Sequence, residues 1–219
     1  FLIDSGLPRD AAIAFGEPSE RLGAVPTRAH GGVSEQLGPA ATRVAGIAFT
    51  HLHTDHTSGL DALCSALAEL RVFQSPLQFE RSNYTTQPGK DQLANAACAR
   101  PQRLEEGTLL PVPGFPGLFV IQAAGHTPGS QLFVAHLPGE CGDCSPDTWI
   151  FTGDVVNHID GVRESVPKPW LYSLLVVPEA PDRLERVRRF LQALERDHGA
   201  RLLVSHDQLQ IESSGLEKW

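Results

Sequence analysis

Apolar residues along the chain gather in short runs, each halted by a polar stretch rich in Gly, Pro, His or Asp. "FLID" (1–4) is cut off by "SGLP" and reads as a strand end and a turn. "VAGIAFT" (44–50) is apolar and partly β-branched, which suits a buried strand. Behind the polar stretch that follows it, Leu60, Leu63, Leu67 and Leu70 recur at helical spacing and predict a helix with Thr57 or Ser58 as its N-cap. "RVFQ" (71–74) predicts another strand, and 75–104 reads as helix broken at "QPGK" (87–90). "LFVIQAA" (118–124) and "QLFVAHL" (131–137) predict strands flanking "GHTPGS", while "TWIFTGD" (148–154) ends a third. Residues 16–43, rich in Gly, Pro, Ser and Ala, predict a long loop with a helical turn. The clearest helix starts near Pro181 and Asp182, carries Leu184, Val187, Leu191 and Leu194 on one face, and closes with Arg196 before Gly199. "ARLLVSHD" then predicts a strand ending in His206. Mixed strands and helices without an internal repeat predict an α/β fold, read as one domain over 1–219.

The polar stretch after the second strand is "HLHTDH" (51–56): three histidines and a carboxylate in six positions. With 9 His in 219 residues, such a window arises by composition roughly once in a thousand chains. A solvated loop accounts for any single histidine there, but not for the concentration. Imidazole nitrogen and carboxylate oxygen suit zinc and neighbouring divalent metals, which need three or four such groups converging. In extended chain His51 and His53 point to the same side and can share one ion, with Asp55 facing with them or turning at the loop's bend. His56 then projects toward a second ion. Three more strand-end residues are candidate ligands: His126, Asp154 and His206. Each alone reads as a turn cap; their joint occurrence with the cluster points to ligation.

Charge and composition narrow the partners. Against 26 acidic residues stand 18 basic ones, net charge is -8, and the basic residues are scattered, so a nucleic-acid partner is not expected. No apolar run approaches the roughly 18 residues that span a bilayer; a soluble chain is expected, with the cytoplasm slightly favoured. The sequence holds no Met, even at position 1, which predicts that residue 1 lies inside a longer chain. Four cysteines are too few for a disulfide scaffold. Cys141 and Cys144 have C-x-x-C spacing, half of a zinc ribbon with no second half, and read as a disulfide or two free thiols. Cys64 and Cys98 lie far apart along the chain.

"FLIDSG", "THLHTDHTSG", "GHTPGS", "FTGD" and "VSHD" occur in the order typical of the metallo-β-lactamase superfamily, which the chain resembles from Phe1 to about Asp207. The resemblance implies an αββα sandwich with metals at one edge of two sheets, and one or more family strands before residue 1. Carried over, it implies that His51, His53 and His126 hold one metal, that Asp55, His56 and His206 hold the other, and that Asp154 bridges them. Asp4, in the family's "D-x-G" turn, would brace the metal loops through hydrogen bonds. The implied cofactors are two divalent ions, zinc first, with iron or manganese as alternatives. Two such ions about 3.5 to 4 Å apart make hydroxide available near neutral pH, so the implied reaction is hydrolysis: hydroxide between the metals attacks an ester, lactone or thioester carbonyl. Asp55 is the candidate catalytic residue, orienting the hydroxide and passing its proton to the leaving group.

His53 stands where the di-iron flavoproteins of this superfamily carry Glu, and Asp154 argues against the true β-lactamases. Five His and two Asp look most like the acyl-homoserine lactonases, the glyoxalase II thioesterases and the nucleases; low basic content disfavours the last. The lactonases carry a Tyr shortly after the bridging Asp, where this chain offers Asn157 and His158, and no glutathione-binding helical region follows His206. Asn157, His158, Trp170 and Tyr172 are candidate pocket walls; for the two aromatics, an ordinary core or surface role weighs equally. His30, His136 and His198 have no motif around them. Two alternatives stay open: a mononuclear iron dioxygenase acting on persulfides, and a non-catalytic metal-binding member of the fold.

Overall fold

The computed structural model describes residues 1–21, 23, 26–105, 107–138 and 147–216. Two sheets lie face to face. In the first, β1 (Leu2–Ile3), β2 (Gly46–Ala48), β3 (Leu70–Gln74) and β4 (Ala99–Arg103) run parallel in that order. In the second, β5 (Leu110–Pro111), β6 (Leu118–Gln122), β7 (Gln131–Leu137) and β8 (Asp147–Phe151) are antiparallel neighbours, and β9 (Arg201–Leu203) adds in parallel to β8.

Side-chain alternation along the strands divides the core into three clusters, and these define four layers. Ala48, Phe73, Val120 and Phe133 fill the space between the sheets. One residue along, Ile47, Phe49 and Val72 face outward onto Leu60, Leu63 and Leu93, which belong to α4 (Leu60–Ala66) and α6 (Gln87–Asn95). On the far side, Leu132, Ile150 and Leu202 meet Leu184 and Leu191 of α9 (Pro181–His198). The predicted αββα sandwich is thus the observed architecture. α9 ends as its pattern predicts, with Gly199 left-handed at φ 65.

Other elements differ from expectation. After the histidine cluster come two helices, α3 (Thr54–Thr57) and α4, with Gly59 rather than Thr57 or Ser58 before the second. The Thr57 hydroxyl is engaged instead with the His53 carbonyl and Gln92. α4 stops at Ala66; Leu67 continues in extended backbone and Leu70 opens β3, so both serve the same cluster from outside the helix. "QPGK" begins α6 instead of breaking a helix, because Pro88 sits in the first turn, where a missing N–H is harmless. Residues 99–103 are β4, whose mostly exposed Arg, Pro and Gln carry no apolar signal. Helix α1 (Arg9–Arg21), α2 (Val33–Leu37) and a 3-10 turn (Gly38–Arg43) occupy much of the expected long loop. α5 (Pro76–Glu80), α7 (Asp160–Arg163), α8 (Trp170–Leu175) and α10 (Gln208–Ser213) complete the helices. β9 ends at Leu203, three residues before His206. No helix among the described residues is long and apolar enough to cross a membrane.

Cys141 and Cys144 lie outside the described residues. Cys64 and Cys98, distant in sequence, are brought together as a disulfide with Cα atoms 5.0 Å apart. It staples α4 to the entry of β4, on the helix that follows the metal-type loop. Closing a loop of sequence separation 34 stabilises the fold by about 3 to 4 kcal/mol through the unfolded state. Peptide maps of the unreduced protein are expected to recover residues 64 and 98 in one cross-linked fragment. A Cys64→Ser, Cys98→Ser double variant is expected to unfold at lower urea; an unchanged midpoint would contradict the staple.

Candidate metal centre

Four chain segments meet at one edge of the two sheets because β2, β6, β8 and β9 end there and β7 begins there. The Gln131 N–H donates to the Thr50 carbonyl at 2.8 Å, joining the start of β7 to the loop after β2. The Thr152 N–H donates to the Leu203 carbonyl, aligning the loops after β8 and β9. His51 and His53 follow β2 in the expected alternation. His53 is the extended N-cap of α3, so Asp55 and His56 turn away in the first helical turn. His126 sits between β6 and β7, Asp154 in a 3-10 turn (Gly153–Val155) after β8, and His206 beyond β9. Gly153 has φ 54, and a Cβ there would lie 2.7 Å from the Thr50 side chain. Only glycine lets Asp154 approach so closely.

All seven predicted residues converge, in two sets sharing Asp154: His51, His53, His126 and Asp154; and Asp55, His56, Asp154 and His206. In the first, His53 Nδ1 lies 3.0 Å from His51 Nε2 and 3.3 Å from His126 Nε2. Asp154 Oδ2 stands 3.9 and 3.6 Å from the same two Nε2 atoms. In the second, His56 Nε2 is 3.2 Å from Asp154 Oδ1 and 3.7 Å from Asp55 Oδ2, while His206 Nε2 is 2.9 Å from Asp154 Oδ2 and 3.6 Å from Asp55 Oδ2. Ligands at about 2.0 to 2.1 Å from a tetrahedral zinc are separated by about 3.3 Å. The donor spacings fit such an ion.

Proton accounting agrees. Each of the four buried histidines has its outward ring nitrogen against an oxygen. His126 Nδ1 lies 2.6 Å from Glu179 Oε1, and His56 Nδ1 lies 2.8 Å from Asp4 Oδ2. His51 Nδ1 faces Thr50 Oγ1 at 3.1 Å, and Thr50 donates its own hydrogen to Asp4 Oδ2. His53 Nε2 faces Thr85 Oγ1 at 2.9 Å, and Thr85 donates to Asn83 Oδ1. A hydroxyl that has passed on its hydrogen can only accept, so the imidazole N–H points outward and the inward nitrogens of His51, His53 and His126 are left as bare lone pairs. Buried His56 Nε2 and Asp154 Oδ1 have no hydrogen-bond partner, which a cation would satisfy.

Electrostatics separate the two sets. Burial, then neighbouring His56, pushes His51 well below the ordinary histidine pKa; burial and His126 take His53 down to about 3, and burial lowers His126. These three are neutral donors. Burial also disfavours charge on His56, but Asp4 and Asp154 outweigh it and raise its pKa well above the usual value; the Asp154 hydrogen bond raises His206. Asp154 is held well below the carboxylate range, despite burial, by hydrogen bonds from His206 and His56 and by the charge on His56. The second set calls for positive charge.

Asp4 is a bracket, as expected. At φ 62 it accepts from the Thr50 N–H and hydroxyl as well as His56. Sequence reasoning missed Glu179, Lys168, Thr85 and Asn83; no motif surrounds them, and only the folded loops bring them in. Lys168 Nζ donates to Glu179 Oε1 and to the Asp154 carbonyl. Among the proposed pocket walls, Tyr172 is half-buried and feels Asp154, Glu179 and Asp55, which after burial push its hydroxyl up to about 12. Asn157 is exposed, His158 pairs with Asp160 and Asp207, and Trp170 is 70% exposed. Asp55, His56 and His206 also border a cavity of about 260 Å³ that Ile3, Phe151 and Ile211 line as well.

The family model of the metallo-beta-lactamase superfamily matches residues 1–206. No curated protein sequence matches the chain. Among solved structures, a quorum-quenching N-acyl homoserine lactone lactonase is similar at 16% identity and TM-score 0.65, covering 98% of this chain and 78% of that one. An N-acyl homoserine lactone hydrolase with N-hexanoyl-L-homoserine at its catalytic metal centre gives 16%, 0.62, 97% and 78%. The Rm3 metallo-beta-lactamase gives 19%, 0.50, 98% and 73%. At such identities the likeness is one of fold.

The histidine shifts set the pH response of metal-free protein. His51, His53 and His126 have depressed folded pKa values, so their contribution is present above the unfolded value of 6.5 and is lost as pH falls toward about 3. His56 and His206 have raised values, so theirs is complete below 6.5 and is lost as pH rises. Urea midpoints of chelator-treated protein are expected to peak near pH 6.5 to 7. A midpoint still rising from pH 7 to pH 5 would contradict these environments.

Proposed function

We propose that this chain, which belongs to the metallo-β-lactamase superfamily, is a metal-dependent hydrolase that holds two divalent cations, zinc first and iron or manganese next, and cleaves the carbonyl of a small ester, lactone or thioester. The observation that carries the reading is the second set of donors, Asp55, His56 and His206, gathered beside the first with Asp154 in common. A mononuclear site needs only one set. His51, His53 and His126 would hold one ion and Asp55, His56 and His206 the other, with Asp154 between. Bound divalent ions supply an ionised water near neutral pH and polarise the carbonyl under attack.

The chain's own residues do the rest. Asp55 is part-exposed, and its ion-pair contacts among the described residues are with the ring nitrogens of His56 and His206. It is therefore free to align the attacking water, hold its proton and release it to the departing oxygen or sulfur. Tyr172 keeps its hydroxyl hydrogen at neutral pH and is the donor available to the substrate carbonyl. The neighbours that act on N-acyl homoserine lactones favour a lactone over a thioester; the absence of a Tyr directly after Asp154 is offset by Tyr172 arriving from α8. Net charge -8 disfavours nucleic acid. The Cys64–Cys98 bond favours an oxidising compartment over the cytoplasm.

Metal analysis of protein purified without added metal is expected to give close to two ions per chain, and a panel of lactones, esters and thioesters to show turnover that chelation abolishes. His51→Ala is expected to lose metal. Asp55→Asn is expected to lower kcat by about 100-fold or more. One iron per chain with oxygen-dependent turnover would replace this reading with the dioxygenase, and two ions with no turnover on the panel would favour a binding protein.

A further inference from the structure

Lys168 lies in the Pro-rich "VPKPW" stretch before α8, where sequence gives it no role. Its side chain nevertheless runs inward and is 6% exposed. The ammonium is 2.6 Å from the Asp154 carbonyl oxygen, 2.7 Å from Glu179 Oε1 and 3.3 Å from His126 Nδ1. The Glu179 side chain is 0% exposed. Besides Lys168 it accepts from His126 at the same Oε1, and from the Ser173 hydroxyl at Oε2. His126 Nδ1 carries the hydrogen that goes to Glu179, so Lys168 and His126 are two donors sharing one acceptor.

We propose that Lys168 is a positioning residue for the His51–His53–His126 cage: it makes a fully buried Glu179 carboxylate tolerable and, through it, fixes the ring of His126, while anchoring the backbone of the turn that carries Asp154. A carboxylate removed from water needs an opposite charge and filled lone pairs to stay ionised. Among the described residues Lys168 is the cation in contact with it. Oε1, held by the ammonium on one side, can meet His126 Nδ1 from one direction only, and Nε2 is aimed at the cage as a consequence. No hydrogen bond or ion pair joins Lys168 to Asp55, His56 or His206; His56 is braced by Asp4 instead. The braces of the two cages therefore differ in kind: hydroxyl and carboxylate acceptors around Asp4, and a buried ion pair behind His126.

The inference rests on the two-cation reading, and cobalt(II) alone separates the two. Chelated protein is titrated with Co²⁺, following heat and the visible absorption of the ion. The wild-type chain is expected to take two ions. Lys168→Met is expected to weaken the ion of the His51–His53–His126 cage by about 10- to 100-fold and change its absorption, and to weaken the other, which shares only Asp154 with it, by less. Glu179→Gln keeps an oxygen for His126 but removes the buried charge, so Lys168→Met placed on top of it is expected to cost little more. Strong non-additivity between the two substitutions is the signature of the ion pair acting through His126. Both ions binding Lys168→Met with wild-type affinity and spectrum would overturn the proposal, as would equal losses from Lys168→Met with and without Glu179→Gln. If Lys168→Met does not fold, the comparison of Glu179→Gln with the double variant decides. A wild-type chain taking one ion would end the two-cation reading, while a weakened ion in Lys168→Met with recovery in the double variant would still uphold Lys168.

Discussion

A buried imidazole can offer a lone pair inward only if its N–H is taken outward. Everything at this edge of the fold follows from that requirement. His51, His53, His56 and His126 each satisfy it through an oxygen that cannot donate back: two carboxylates, and two threonine hydroxyls that have already given their hydrogens to Asp4 and Asn83. Without those outer partners the four rings would be free to pair with one another, nitrogen to nitrogen, and the pocket would close on itself. The outer partners come from the segments after β1, β2, α5 and α8, so the cage is a product of the whole sandwich rather than of the "HLHTDH" segment.

The sandwich in turn is built so that loops from both sheets can meet. The inward residues Ala48, Phe73, Val120 and Phe133 glue the sheets together, and burial of each large apolar side chain stabilises by about 1.5 to 3 kcal/mol. Alignment at the edge is left to a few polar ties. Gln131 to Thr50 links the sheets, and Gly153 allows the Asp154 turn to lie against Thr50. Thr50 therefore receives a backbone bond from one sheet, contacts the turn after β8, and orders two of the candidate ligand histidines. That concentration explains why the metal-type residues sit immediately after it.

How much of this could be read from the sequence depended on whether the cause was local. The seven donor positions were readable because each stands at the end of an apolar run, and the cluster is too dense for coincidence. The α9 helix was readable from Pro181, its apolar stripe and Gly199. Leu67 and Leu70 misled because an apolar period of three continued past the helix end, where the same core is served by strand β3. β4 was missed because an edge strand of Arg, Pro and Gln has no buried face to pattern. The Cys64–Cys98 bond and the Lys168–Glu179 pair could not be seen, since nothing near either partner announces the other; both are created by packing of segments far apart in the chain.

Charge balance supplies the last constraint. Asp4, Asp55, Asp154 and Glu179 bring four carboxylates to a largely buried region, and Lys168 answers one of them. With neutral imidazoles three negative charges remain, which a low-dielectric interior does not tolerate. In the absence of cations the answer is protons, and the raised pKa values of His56 and His206 show where they go. Those protons lie on the second set of donors, beside Asp154 and Asp55. Two dications would displace them and leave the centre with one excess positive charge, the sign needed to hold an ionised water and then an oxyanion. The first cage, whose histidines resist protonation, has no such substitute. Its geometry has to be kept by the ion pair behind His126 instead.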